Sequence, residues 1–179
     1  MSEENKERWL NYLALTTVIF AVCATLSTFK GGGHSTKAVL SQTQASDQWA
    51  FYQAKSIKGY LYELQKEKME LELKNLGQKA PRTATEEYEK KIEGYGQKIK
   101  KYDAEKEKIQ SDAKGFEKIR DDAQQHQKAF GIAVIFLQIA ILMSSVSALL
   151  KKKPLWVVSL VAGVVGLVYF ANGFFLFMK

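Results

Sequence analysis

Hydrophobic and polar positions along this chain fall into two regimes. Residues 9–29, 129–150 and 154–178 contain no Asp, Glu, Lys, Arg or His. Each run reaches the roughly 20 residues that an α-helix needs to cross a bilayer core. Between the first two runs the pattern changes to apolar positions spaced three and four apart among charges. The clearest series is Tyr88, Ile92, Tyr95, Ile99, Tyr102, Lys106, Ile109, Ala113, Phe116, Arg120, Ala123, Gln127 and Phe130. Such a repeat, sustained over about six heptads, is the pattern of a coiled-coil seam. A less regular series, Ala50, Ala54, Ile57, Leu61, Leu64, Lys68 and Leu71, reads as its counterpart.

Punctuation divides these runs into elements. Gly31-Gly32-Gly33 is expected to break the helix leaving the first apolar run, because glycine loses the most conformational entropy on ordering. Ser35 or Thr36 would then cap a new helix. Gly77 to Pro81 marks a helix end and a turn, and Thr83 or Thr85 can start the next helix. No clear stop follows before the second apolar run. The fold predicted is all-α: three transmembrane helices with a long extramembrane antiparallel coiled-coil hairpin between the first and second. The divisions are 1–30 (tail and first span), 31–128 (hairpin, turn near 77–82), 129–150 (second span), 151–153 (basic loop) and 154–179 (third span). Each arm would extend about 60–70 Å at 1.5 Å per residue.

Composition sharpens this picture more than it changes it. The chain has 179 residues, 26 Lys+Arg against 19 Asp+Glu, and a net charge of +7. Its mean hydropathy of −0.21 resembles that of a soluble protein only because two unlike regimes are averaged. The segment before the first run mixes Lys6 and Arg8 with Glu3, Glu4 and Glu7. It is not the positive leader of a signal peptide, so an uncleaved anchor is expected. Cys23 is the single cysteine and allows no intramolecular disulfide. The loop Lys151-Lys152-Lys153 sets the orientation, since short Lys/Arg-rich loops stay cytoplasmic. The localisation expected is a bacterial inner membrane, multi-pass, with the hairpin on the periplasmic side.

Within the apolar runs, small residues recur four apart: Thr17, Ala21 and Thr25; Ala140, Ser144 and Ala148; Ala162 and Gly166. That spacing lines a helix face with small groups and predicts close helix packing. The only strongly polar side chains there are Asn11, Gln138 and Asn172. Ion-coupled transport normally requires ionisable groups within the membrane, so it is not expected. In the arms, Lys68, Lys106 and Arg120 sit at seam positions, and Gly94, Gly96 and Gly115 weaken the second helix. A hairpin so marginal would gain from neighbours, which predicts a homo-oligomer.

The base of the first arm differs in composition. Gln44, Asp47, Gln48, Trp49, Phe51, Tyr52, Gln53 and Lys55 combine amides, charges and three neighbouring rings. They form either a cluster packed on the opposing arm or a ligand or partner site. The stretch Trp9-Leu-Asn-Tyr-Leu-Ala-Leu-Thr-Thr and the block Gln44-Ala-Ser-Asp-Gln-Trp-Ala-Phe-Tyr-Gln-Ala-Lys-Ser-Ile-Lys58 resemble a family of bacterial membrane proteins known as a domain of unknown function. The resemblance implies three spans and a central helical region, and it carries no activity.

Catalytic, cofactor and metal motifs are not found. His34 and His126 each stand near a membrane boundary at the base of one arm and could approach one another; with Asp47 they have ligand chemistry without a metal-spaced motif, and the histidines are read as exposed boundary residues. Gly31–Gly33 lacks phosphate-loop spacing, and Lys/Glu interleaving does not make a nucleic-acid stripe. No catalytic residue, cofactor or nucleic-acid partner is expected; the lipid bilayer and further copies are, with another membrane protein as a further candidate. Three functional readings follow. The first is a non-catalytic homo-oligomeric scaffold or docking surface. The second is a passive channel or channel subunit lined by Thr16, Thr17, Thr25, Ser27 and Thr28. The third is a regulatory or sensor subunit of another membrane complex.

Overall fold

The computed structural model of the chain describes residues 3–77 and 81–178, with side chains from Arg8 onward. Three helices follow in order: α1 (Glu3–Leu76), α2 (Arg82–Leu150) and α3 (Lys153–Phe175). No strand occurs among the described residues. Each helix contains a stretch long and apolar enough to cross a membrane.

The helix break expected at Gly31–Gly33 does not occur; α1 continues through it. A glycine costs about 1 kcal/mol relative to Ala in a helix, but propagating a helix that is already nucleated costs far less than starting one. Gly31 also admits a neighbour: a Cβ there would stand 3.3 Å from Phe130 Cβ. Thr36, expected as a cap, instead donates its hydroxyl to the Gly32 carbonyl at 3.1 Å inside the helix. Gly77 does end α1, with a φ of +63° that favours glycine. Of the turn expected near 77–82, residues 78–80 lie outside the described residues. Pro81 opens α2, its carbonyl accepting from the Ala84 and Thr85 amides.

The chain divides into two compact units, Met1–Leu40 with Ile119–Lys179, and Ser41–Lys118. In the first, Phe20, Ala24, Ala133, Leu137 and Ala140 form the buried cluster. Glycines of α3 receive the bulky members. A Cβ on Gly163 would overlap the Phe20 ring, one on Gly166 would lie 2.7 Å from Leu137 Cγ, and one on Gly173 would lie 2.6 Å from the Phe130 ring. Small residues thus let helix backbones approach closely, as in membrane bundles.

The structure places the small-residue rows unequally. Ala140, Ser144 and Gly166 are buried, while Ala148 and Ala162 are half-buried. In α1 the row Thr17, Ala21, Thr25 does not face the interior: Thr17 is half-buried, and Ala21 and Thr25 are exposed. The buried positions there are Trp9, Leu13, Phe20, Ala24 and Ser27, with the Phe20 ring filling the space at Gly163 of α3. Buried hydroxyls are satisfied: Ser144 donates to Ser159 Oγ at 2.9 Å, and Ser159 donates to the Trp156 carbonyl at 2.7 Å. At the end of α3, Leu176 turns left-handed and its amide bonds the Asn172 carbonyl. Asn172 Oδ1 then accepts the Met178 amide at 2.7 Å.

Candidate functional site

In the second unit, residues on α1 meet residues on α2 in reversed order. Trp49 pairs with Glu117, Lys55 with Glu105, Tyr62 with Tyr102 and Tyr95, and Glu72 with Tyr88. On α2 the covered or half-covered positions include Tyr88, Ile92, Tyr95, Ile99, Tyr102, Lys106, Ile109, Ala113 and Phe116, with Ile109 and Ala113 fully buried. They advance by four and three, so every second member lies one heptad on.

On α1 the register differs from the one the leucines suggest. The covered positions are Ser41, Ala45, Gln48, Tyr52, Lys55, Gly59, Tyr62, Lys66 and Met69. Ile57, Leu61, Leu64 and Leu71 point outward, exposed by 60%, 56%, 61% and 59%. Two series with the same 3.5-residue spacing coexist on this helix, offset by two residues. Hydrophobicity selects one and side-chain geometry the other. Tyr62 stacks on Tyr102 at 5.7 Å between ring centroids and leans on Tyr95 at 5.8 Å. Lys98 Nζ sits 4.7 Å from the Tyr62 ring centre. Cation–π contacts and offset rings each contribute on the order of 0.5–1 kcal/mol. The sequence signal for this register is the recurrence of Tyr52, Gly59 and Lys66 at sevens, with Lys55, Tyr62 and Met69 between them.

At the base of the arms, the aromatic–amide block divides by helix face. Gln48, Trp49, Tyr52 and Lys55 are half-buried toward α2, whereas Gln44, Asp47, Phe51 and Gln53 are exposed. Trp49 Nε1 donates to Glu117 Oε1 at 2.9 Å, and its ring meets Tyr52 edge-on at 5.6 Å. Lys55 Nζ lies 2.6 Å from Glu105 Oε2 and within 5.2 Å and 5.3 Å of the Phe51 and Tyr102 ring centres. The hydrogen bond from Lys55 holds the Glu105 carboxyl below the ordinary carboxylate range. Beside this pair opens a cleft of about 420 Å³ whose lining includes Gln48, Phe51, Ile109 and Asp112. Its lining combines amide, ammonium and carboxylate groups with the apolar side chains of Phe51 and Ile109.

The histidines are drawn together in the first unit, half-buried where exposed residues are expected. His34 and His126 stack with ring centroids 4.5 Å apart, and Phe130 lies 5.9 Å from His34. His126 Nδ1 donates to the Gly173 carbonyl at 2.8 Å, and its Nε2 stands 3.9 Å from Asp122. Burial first, then the neighbouring His126, pushes the His34 pKa down. Asp47 is an exposed residue of the other unit. Among the described residues no group of three or more His, Cys, Asp or Glu is placed to hold a metal ion. The sequence signal for the pair is their position, each close to an apolar run at the base of one arm.

Residues 9–176 match the family described as a domain of unknown function, DUF4337, and the chain belongs to that family. No curated protein and no solved structure matches it.

Proposed function

We propose that this member of the DUF4337 family is a non-catalytic, homo-oligomeric integral membrane protein that serves as a scaffold or docking surface. Its three apolar stretches act as spans of a bacterial inner membrane. Residues 31–128 act as an antiparallel coiled-coil hairpin on the periplasmic side, and the triple-lysine loop is cytoplasmic. The observation that carries the reading is the orientation of the arms' apolar surface. The α1–α2 pairing covers Ile92, Ile99, Ile109 and Phe116 of α2 against tyrosines and lysines of α1, yet leaves Ile57, Leu61, Leu64 and Leu71 of α1 outward. A self-sufficient hairpin would turn those four inward as well, since burial of apolar area is the main driving force available to it.

A second reading, a regulatory or sensor subunit, draws on the cleft beside Lys55 and Glu105, where half-exposed Phe51 offers a ring to a partner. A channel lined by the first span has less support. The hydroxyls of Thr16, Thr17, Thr25, Ser27 and Thr28 all donate to carbonyls of their own helix.

The test is the mass of the full chain solubilised in detergent, together with whatever co-purifies. A multiple of the 20.2 kDa chain is expected. A monomer would overturn the homo-oligomer, a fixed foreign partner would favour the regulator, and ion flux through liposomes would favour the channel. Orientation is read separately in a Cys23→Ser background. Cysteine at Lys74 should react with an impermeant thiol reagent in spheroplasts, and cysteine at Lys152 only after lysis.

A further inference from the structure

We infer that the outward stripe of α1 (Ala50, Ala54, Ile57, Leu61, Leu64, Lys68, Leu71) pairs with the same stripe of a second copy of this chain, parallel and in register. The inference rests on the scaffold reading and names its interface. The stripe runs two residues ahead of the set that meets α2. At 3.6 residues per turn, two residues are about 200° around the helix. The stripe therefore lies on the side of α1 away from α2, and a second helix can reach it without displacing the first. Its 3.5-residue spacing suits a partner that winds with the same supercoil.

Which partner fits is decided by area and charge. From Ala50 to Leu71 the stripe is about 33 Å long, and a helix is about 10 Å wide. A strip of roughly 300 Å² per copy falls short of the about 800 Å² per partner typical of stable complexes. A freely diffusing partner would not stay bound by it. Two chains anchored in one membrane meet at high effective concentration and need no more. Among anchored partners, the second copy answers the one charged position in the stripe. Lys68 lies 3.8 Å from Glu72 of its own chain, and Glu67 precedes it in sequence. In-register parallel pairing brings two Lys68 ammonium groups among four carboxylates, two from each copy. A lysine at a single seam position costs stability and specifies register. Glu72 is itself held by the Tyr88 hydroxyl at 3.2 Å, so that carboxylate is already oriented.

The experiment uses the full chain in native membranes with Cys23→Ser. Single cysteines are placed on the stripe (Ile57→Cys, Leu61→Cys, Leu64→Cys) and on the exposed flank (Glu63→Cys, Glu70→Cys), then oxidised. Seam positions of a parallel pair bring Cα atoms within the about 4.4–6.8 Å that a disulfide requires, and flank positions do not. Bands at twice the chain mass, several-fold stronger at 57, 61 and 64 than at 63 and 70, are expected. Adding Leu64→Asp to Ile57→Cys should abolish the band while helicity stays unchanged, because Leu64 is exposed within one copy. Equal yields at all five positions would overturn the inference as random collision. An oligomeric detergent mass with bands on the flank only, or with none, would overturn this face and leave the scaffold reading standing. A monomeric mass without bands would overturn both. A band of any mass other than twice the chain would assign the stripe to a different protein.

Discussion

The two units of this chain hold helices together by opposite means. In the unit of residues 1–40 and 119–179, bulky residues enter spaces left by glycine: Phe20 at Gly163, Leu137 at Gly166 and Phe130 at Gly173. In the unit of residues 41–118, Tyr62, Lys98, Lys55 and Trp49 bridge the helices with rings and charges, and Ile57, Leu61, Leu64 and Leu71 of α1 face outward. Close backbone approach needs small residues and suits surroundings in which burial of apolar surface gives no drive. Long polar bridges suit surroundings where water competes for every group. Glycine therefore carries a different meaning in each unit.

The largest expected effect comes from that contrast. Gly163→Ala forces a methyl group into the Phe20 ring and should destabilise the first unit by about 1–3 kcal/mol, as overpacking does. Gly94→Ala adds a methyl group that meets nothing within 4 Å and should stabilise α2 by up to about 1 kcal/mol. Hydrogen exchange of the full chain in detergent, read separately for amides of each unit, checks both. If the two substitutions share a sign, the packing contrast is wrong.

A smaller effect should separate the two registers of α1. Tyr62→Ala removes the ring between Tyr95 and Tyr102 and should loosen the second unit by about 1–2 kcal/mol. That is below the 3–5 of a fully buried aromatic, because the ring is half-exposed. Leu61→Ala, one residue away and outward, should change the pairing within one copy by under about 0.5 kcal/mol. Protection of α1 and α2 amides in residues 55–105 reads both variants. With Leu64→Asp added to both variants, so that only pairing within one copy contributes, a greater loss at Leu61 than at Tyr62 would restore the register that hydrophobicity alone suggests.

Much of this molecule is legible from its sequence. The three apolar stretches follow from length and the absence of charge. The Gly77 helix end follows from a residue that adopts positive φ without cost. Two features do not follow. Helix continuity through Gly31–Gly33 reflects propagation of a helix already nucleated, which a residue-by-residue reading of three glycines misses, and Phe130, ninety-nine positions on, packs beside Gly31. The α1 register depends on tyrosine stacking and lysine placement, while a hydrophobic count rewards the leucines that turn outward. Within the base block, residue types announced both an aromatic cluster and a partner surface. The structure assigns Trp49 and Tyr52 to the half-buried face and leaves Phe51 half-exposed.

The smallest expected effect concerns pH and the first unit alone. His34 is faced by Lys30 and Lys37 from its own helix, by His126, Asp122 and the Phe130 ring from α2, and His126 in turn is bonded to the Gly173 carbonyl of α3. Burial lowers the His34 pKa most, His126 and the two lysines lower it further, and Asp122 opposes them. A histidine whose folded pKa lies below its free value, about 6.5, binds its proton more readily when the packing opens. The unfolded state then holds more protons, so stability rises with pH across that interval. The contribution should be complete above pH about 6.5 and should fade as pH falls through the lower folded value. Exchange of amides around residues 30–38 and 170–176, corrected for the intrinsic pH dependence, should quicken on acidification from pH 7.5 to 5. His34→Phe keeps a ring against His126 and carries no charge, so the same amides should lose most of that dependence. A wild-type profile flat over this range, or an unchanged slope in His34→Phe, would show that the stacked pair does not couple protonation to packing. Amides of residues 41–118 provide the internal reference. With no histidine in that unit, their corrected exchange should stay level between pH 7.5 and 6, before carboxylates begin to titrate.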